Sequence, residues 1–191
     1  MISNVGKLIV IVAPSGTGKS TLMKKIREDF KGILNESISY TTRPIRPNEE
    51  NGVDYFFIEK NKFEQMIDQN DFIEWAVVHG DYKGTSKNYV EKKLLEGKNL
   101  IFDLDVQGAD AMKAVFKDQA KIIFIKPPSF EILEQRLRGR GTETSEAIEV
   151  RLKNAKIELS RSEDYDFSIV NDEVESAYKN LADLIKQLIR E

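Results

Sequence analysis

The chain has no cysteine, one histidine and one tryptophan in 191 residues. Without thiols it can form no disulfide, cysteine nucleophile or thiolate-bound zinc. His79, followed by Gly80, reads as a polar turn residue, and a histidine-based triad is not expected. Excess positive charge is also missing: 29 Lys and Arg stand against 32 Asp and Glu, a net charge of −3. No basic face for nucleic acid or for a membrane surface is therefore expected. Long apolar runs are absent too. Leu8–Val12 is one strand long, far short of the ~20 residues of a bilayer span. Residues 1–7 lack the layout of a secretory signal. A cytoplasmic protein is expected, with monomer and homo-oligomer both left open.

Phosphate chemistry is what the chain does carry. Leu8–Val12 breaks into Ala13, Pro14, Ser15, Gly16, Thr17 and Gly18, and Lys19, Ser20 and Thr21 then open an amphipathic segment. Strand, glycine loop and helix in that order form the setting of a phosphate-binding P-loop, although Ala13 stands where G-x-x-x-x-G-K-[ST] has its first glycine. Glycines let backbone N–H groups converge on phosphate oxygens, and the helix N-terminus adds partial positive charge. Lys19 is suited to the β- and γ-phosphates, and the Ser20 hydroxyl to Mg²⁺ arriving with ATP.

Downstream, strand and helix patterns alternate, which predicts an α/β fold: a doubly wound parallel sheet on a P-loop core. Residues 37–42 read as a strand, 43–52 as a Pro-punctuated loop, 72–78 as a strand and 79–84 as a turn. Two segments interrupt the alternation, which divides one domain into a core (1–36, 89–126, 165–191), an inserted lobe (37–88) and a helical lid (127–164).

The inserted segments hold the remaining candidates. Arg43 and Arg46 lie three apart on the stiffened loop and offer forked donors to a phosphate; Tyr55 can add a hydroxyl. Glu74, in mid-strand beside Trp75, suits either the wet face of a strand or recognition of a base with N–H donors. Asp103 and Asp105 end a strand at the carboxyl edge, where α/β sheets bind ligands, and Asp103 there could order the waters of Mg²⁺. Arg136, Arg138, Arg140 and Arg151 crowd the lid, with Arg138 read as surface charge.

In order along the chain stand S-Y-T-T-R-P-I-R from Ser39 to Arg46, then Glu49, Gly52 and Tyr55, F-I-E-W from Phe72 to Trp75, D-L-D-V-Q-G from Asp103 to Gly108, and R-L-R-G-R-G-T-E from Arg136 to Glu143. With the P-loop, this series resembles the guanylate kinases over essentially the whole chain. The resemblance implies an ATP:GMP phosphotransferase of purine nucleotide metabolism, also active on dGMP. It implies that Arg43, Arg46 and Tyr55 hold the GMP phosphate, and that Ser39, Glu74, Thr85 and Asp105 hold the guanine. Arg140, Arg151 and Arg136 would reach the ATP phosphates, and Asn171 would lie beside the adenine. Lys19, Arg43, Arg140 and Arg151 would carry catalysis. One departure is clear. The family usually has two adjacent tyrosines in the turn after the F-I-E-W strand, the second donating to the GMP phosphate; here Tyr82 is followed by Lys83. Lys83 is either a solvated loop lysine or a charge-assisted donor in that role.

Three rivals weigh less. Another small-molecule kinase on this scaffold, such as a ribose bisphosphate phosphokinase, would not need Ser39, Glu74 and Asp105 together. A non-catalytic protein-binding relative would lose the P-loop and lid arginines. A GTPase would carry N-K-x-D, which is absent.

Overall fold

The protein is described from a computed structural model over residues 5–139 and 144–190. Strand β1 (Leu8–Val12) is buried along its whole length. Helix α1 (Lys19–Asp29) and strand β2 (Leu34–Glu36) follow. The chain then leaves the core and builds β3 (Tyr40–Thr41), β4 (Phe56–Phe57), α2 (Lys60–Asp68), β5 (Phe72–Val78) and β6 (Asp81–Ser86). It returns through α3 (Lys87–Leu95), β7 (Asn99–Leu104), α4 (Val106–Phe116) and β8 (Ala120–Lys126). Helices α5 (Phe130–Arg138) and α6 (Ser145–Ser160) form the second excursion, and β9 (Phe167–Val170) with α7 (Val174–Arg190) closes the core.

The core sheet runs β2-β7-β1-β8-β9, and every pairing in it is parallel. A strand inside such a sheet is covered on both faces, which explains the unbroken apolar run of β1. Its side chains alternate between two cores. Ile9 and Ile11 pack with Leu22, Ile26, Leu181 and Ile185 of α1 and α7, whereas Leu8, Val10 and Val12 pack with Val90, Ala109 and Met112 of α3 and α4. The doubly wound architecture follows from that two-sided burial.

Each inserted segment has a small core of its own. Phe63, Met66 and Phe72 fill the first lobe, with Phe63 stacked on Phe72 and Tyr82. Leu133, Leu137, Ile148, Leu152 and Ala155 join the two lid helices. The first lobe is a four-stranded sheet in the order β4-β3-β6-β5. Two local expectations change here. Residues 37–42 are not one strand: only Tyr40–Thr41 is paired, as β3 of the lobe, because the residues before it carry the chain across from β2 of the core sheet. The turn predicted over 79–84 is only His79 and Gly80, both at positive φ, and from Asp81 the chain returns as β6 paired antiparallel with β5. Two consecutive residues at positive φ form the tight connection that suits a twisted hairpin. Polar side chains on a half-exposed strand made β6 resemble a loop. Among the described residues no helix is long and apolar enough to cross a membrane.

Candidate active site

The glycine loop is braced from beneath. The Thr17 hydroxyl donates to the Pro14 carbonyl at 2.9 Å, and the buried Asn171 amide nitrogen donates to the Thr17 carbonyl at 2.6 Å. Gly16 and Gly18 both hold φ near +90°, a region L side chains rarely adopt. A Cβ at Gly16 would lie 2.9 Å from Leu137 of α5, and one at Gly18 would run into the Asn171 amide. The loop therefore admits no side chain at either position. Helices α3, α4, α5 and α6 are capped at their N-termini by Ser86, Asp105, Ser129 and Thr144. Helix α1 has no side-chain cap and no acid in its first turn, so its leading N–H groups stay available to an anion. Ser20 and Thr21 are exposed there.

Lys19 reaches sideways to β7. Its ammonium contacts Asp103 Oδ1 at 2.6 Å and donates to the Leu104 carbonyl at 2.8 Å. Parallel register sets this up, since Ile11 and Val12 of β1 lie opposite Asp103 and Leu104. Asp105 falls just beyond the strand and caps α4, its Oδ1 accepting from the Gly108 amide at 2.8 Å.

A cleft of about 850 Å³ opens between the end of β7 and the first lobe. Ser39, Tyr55, Glu74, Lys83, Thr85, Asp103 and Asp105 all line it. Glu74 lines the cleft. Glu74 lies opposite Thr85 across the β5–β6 ladder, and the Thr85 hydroxyl donates to its carboxylate at 2.7 Å. Strand periodicity puts Lys83 on the same face as Thr85, one pleat nearer the hairpin. A carboxylate with a hydroxyl, and an ammonium one pleat along the same face, suit a ligand that carries both N–H donors and an anion.

The two loop arginines are not on the cleft wall. Arg43 donates to both carboxylate oxygens of Glu49, at 2.8 and 3.0 Å, and its guanidinium lies 5.6 Å from the centre of the Tyr55 ring. Lys83 Nζ lies 5.2 Å from the same ring, so Tyr55 joins the arginine loop to the cleft. Arg46 is exposed, and its backbone N–H also donates to Glu49. The Arg43 guanidinium, then the Arg46 amide, hold the Glu49 carboxyl below its ordinary range.

From the lid, Arg151 donates to the Ser15 hydroxyl of the glycine loop at 3.0 Å. Arg136 donates to the carbonyls of Asn171 and Asp172, which fastens α5 beside that loop. Arg138 pairs with Glu134 and Glu149 on the surface. Arg140 lies outside the described residues. Asn171 is buried, and its Oδ1 has no partner there. One residue escaped sequence reasoning: half-buried Glu158 of α6, whose carboxyl is pushed above its ordinary range by burial first and then by Asp105, with Lys19 opposing. The available signal was its seven-residue spacing from Arg151, which puts both on one helix face.

The family model for guanylate kinase matches residues 5–188. The chain is 42% identical to a guanylate kinase of Polaromonas sp. over 180 residues, covering 94% of this chain and 86% of that protein. It is 46% identical to one from Chlorobaculum tepidum over 169 residues, covering 88% of this chain and 86% of the relative. Its fold matches the crystal structure of guanylate kinase from Anaplasma phagocytophilum with a TM-score of 0.66 at 29% identity, over 98% of this chain and 88% of that one. A glycine-loop lysine joined to a cleft lined by Glu74, together with these matches, leads to one assignment: the chain belongs to the guanylate kinase family.

Proposed function

We propose that the protein transfers the γ-phosphoryl group of ATP to the phosphate of GMP, giving ADP and GDP, and accepts dGMP as well. The observation that carries this reading is the single cleft containing both the Glu74–Thr85 pair and Asp103, the contact of the P-loop lysine. Guanine offers N–H donors at N1 and its 2-amino group and an acceptor at O6. Glu74 and Asp105 suit the donors, and Ser39 and Thr85 suit the acceptor. Adenine would set an acceptor against a carboxylate, a mismatch that discriminates by roughly 10⁴ or more in a buried site.

The acceptor phosphate is assigned to Arg43, Arg46, Tyr55 and Lys83. Its second pKa is about 6, so at neutral pH its oxygen is already the nucleophile and no side chain need remove a proton. The backbone of residues 13–21 and the Lys19 ammonium hold the ATP phosphates, and Arg136, Arg140 and Arg151 complete their surroundings from the lid. Asn171 is assigned to the adenine side. The Ser20 hydroxyl and the Asp103 carboxylate, the latter through water, are hard oxygen donors that fit Mg²⁺. Among the described residues no three His, Cys, Asp or Glu side chains converge as a metal cage. Bound with ATP, Mg²⁺ would neutralise charge on the phosphate oxygens. Positioning and charge stabilisation then account for the rate, and closure of both lobes keeps water from taking the phosphoryl group. The proposed role is the recycling of purine monophosphates in the cytoplasm.

The test is a coupled assay with ATP and each nucleoside monophosphate. GMP and dGMP should exceed AMP, CMP and UMP in kcat/KM by at least about 10³. Equal turnover of AMP, or none of GMP, overturns the proposal.

A further inference from the structure

Thr41 and Thr42 stand between the lobe sheet and the arginine loop. Thr41 ends β3, pairs with Lys83 of β6 across the antiparallel ladder, and is 4% exposed. Its hydroxyl donates to the Tyr82 carbonyl at 2.9 Å and accepts from the Arg43 backbone N–H at 3.3 Å. Thr42 lies past the end of β3 but is fastened to the same neighbour. Its backbone N–H donates to the Tyr82 carbonyl at 3.1 Å. Its hydroxyl accepts from the Tyr82 N–H at 2.9 Å and donates to Asp81 Oδ1 at 3.3 Å. These contacts end on Asp81 and Tyr82, just before Lys83, and on Arg43 itself.

We infer that Thr41 and Thr42 are positioning residues of the acceptor-phosphate site, their hydroxyls fixing the start of the arginine loop against β6 so that Arg43 and Lys83 are held together at the Tyr55 ring. The inference rests on the reading of Arg43 and Lys83 as phosphate ligands. The strand ladder alone supplies little of this fixation. β3 is two residues long, and the chain turns away at Arg43 and Pro44, where proline has no N–H to pair. The two hydroxyls stand in for the missing ladder bonds, each acting as donor and acceptor at once. Without the Thr41 hydroxyl, the Arg43 N–H loses this acceptor, and a part-buried donor left unpaired favours rearrangement of the loop. The effect falls on two cations together, because Arg43 and Lys83 lie 5.6 and 5.2 Å from the centre of one ring. A phosphate gripped by both depends on their separation, and a misplacement of about 1 Å is enough to lose much of such a benefit. Among the described residues neither hydroxyl bonds to Glu74, to Thr85 or to the glycine loop, so the effect is confined to the acceptor phosphate.

The experiment measures GMP kinetics, and ADP affinity by titration calorimetry, in the parent, Thr41→Val, Thr41→Ser and Thr42→Val, and repeats Thr41→Val in an Arg43→Ala background. Thr41→Val keeps the shape and should raise the GMP KM about tenfold, the size of a buried hydrogen bond left half-made, with kcat within about twofold of the parent. ADP affinity should stay at the parent's value. Thr41→Ser keeps the hydroxyl and should hold the GMP KM within about twofold of the parent. In the Arg43→Ala background, Thr41→Val should change the KM by less than about threefold, because one of the two positioned cations is already gone. A role confined to stability would lower the melting temperature and leave the GMP KM alone. If Thr41→Val does not fold, Thr42→Val, at the less buried of the two positions, decides by the same measures, with a several-fold rise in GMP KM expected. An unchanged GMP KM in the folded valine variant, an equal loss of ADP affinity, or an equal factor in both Arg43 backgrounds overturns the inference. A parent that does not phosphorylate GMP overturns the kinase reading itself.

Discussion

The Lys19 ammonium lies 2.6 Å from a carboxylate oxygen of Asp103, on the strand paired directly with the one that leads into the glycine loop. The pair joins the glycine loop to the cleft assigned to GMP. Lys19→Ala should lower kcat by roughly 10²-fold or more, because it removes charge stabilisation from the transferring group. Its circular dichroism should match the parent. Near-normal turnover by a folded Lys19→Ala protein would remove Lys19 from the mechanism.

Glu74 and Thr85 form the second test. Glu74→Gln preserves shape but replaces an acceptor-only group with an amide that both donates and accepts. GMP kcat/KM should fall by about 10²-fold or more, with ATP affinity unchanged. If acceptor kinetics stay at the parent's values, the Thr85–Glu74 hydrogen bond is merely a sheet contact.

The Arg43–Glu49 pair predicts an acid dependence. The Glu49 carboxyl is held below its ordinary value of 4.5. Such a group adds stability above that ordinary value, and the contribution vanishes as pH falls through the lowered folded value. Glu49→Gln should therefore flatten melting temperature against pH between about 5 and 3, while leaving the neutral region little changed. Because the pair sits at the surface, the difference in slope should be small and should shrink in high salt. Parallel curves for parent and variant would show that the pair adds nothing to stability.

Lys83 supplies a test peculiar to this chain. Its ammonium and the Arg43 guanidinium approach one ring, that of Tyr55. Lys83→Ala should raise the GMP KM several-fold, as expected from a lost contribution of about 1 kcal/mol. Lys83→Tyr should restore binding and make it less sensitive to salt. GMP affinity equal to the parent's in Lys83→Ala, at both low and moderate salt, would leave the phosphate to Arg43, Arg46 and Tyr55.

The sequence by itself determined most of the scaffold. The β-branched run at Leu8–Val12, the loop glycines and the amphipathic closing helix, Val174–Arg190, each favour one local structure whatever surrounds them. Local preference and burial agree at these points, so the elements were legible one at a time. Motifs within one segment were legible for the same reason: Lys19 and Ser20 follow the loop directly, and Glu74 stands out as an acid in an apolar strand. Only the tertiary structure decided what met across segments. Parallel register brought Asp103 to Lys19, antiparallel register brought Thr85 to Glu74, and the Glu49 carboxylate, rather than the cleft, took the Arg43 fork. β6 stayed hidden in the sequence because its stability comes from pairing with β3 and β5, not from its own residues. Glu158 stayed hidden because a charged residue on a charged helix looks like any solvated one. Its position is set by the contacts of Arg151 with Ser15 and of Arg161 with Asp110, and contacts of that kind exist only once the fold has closed.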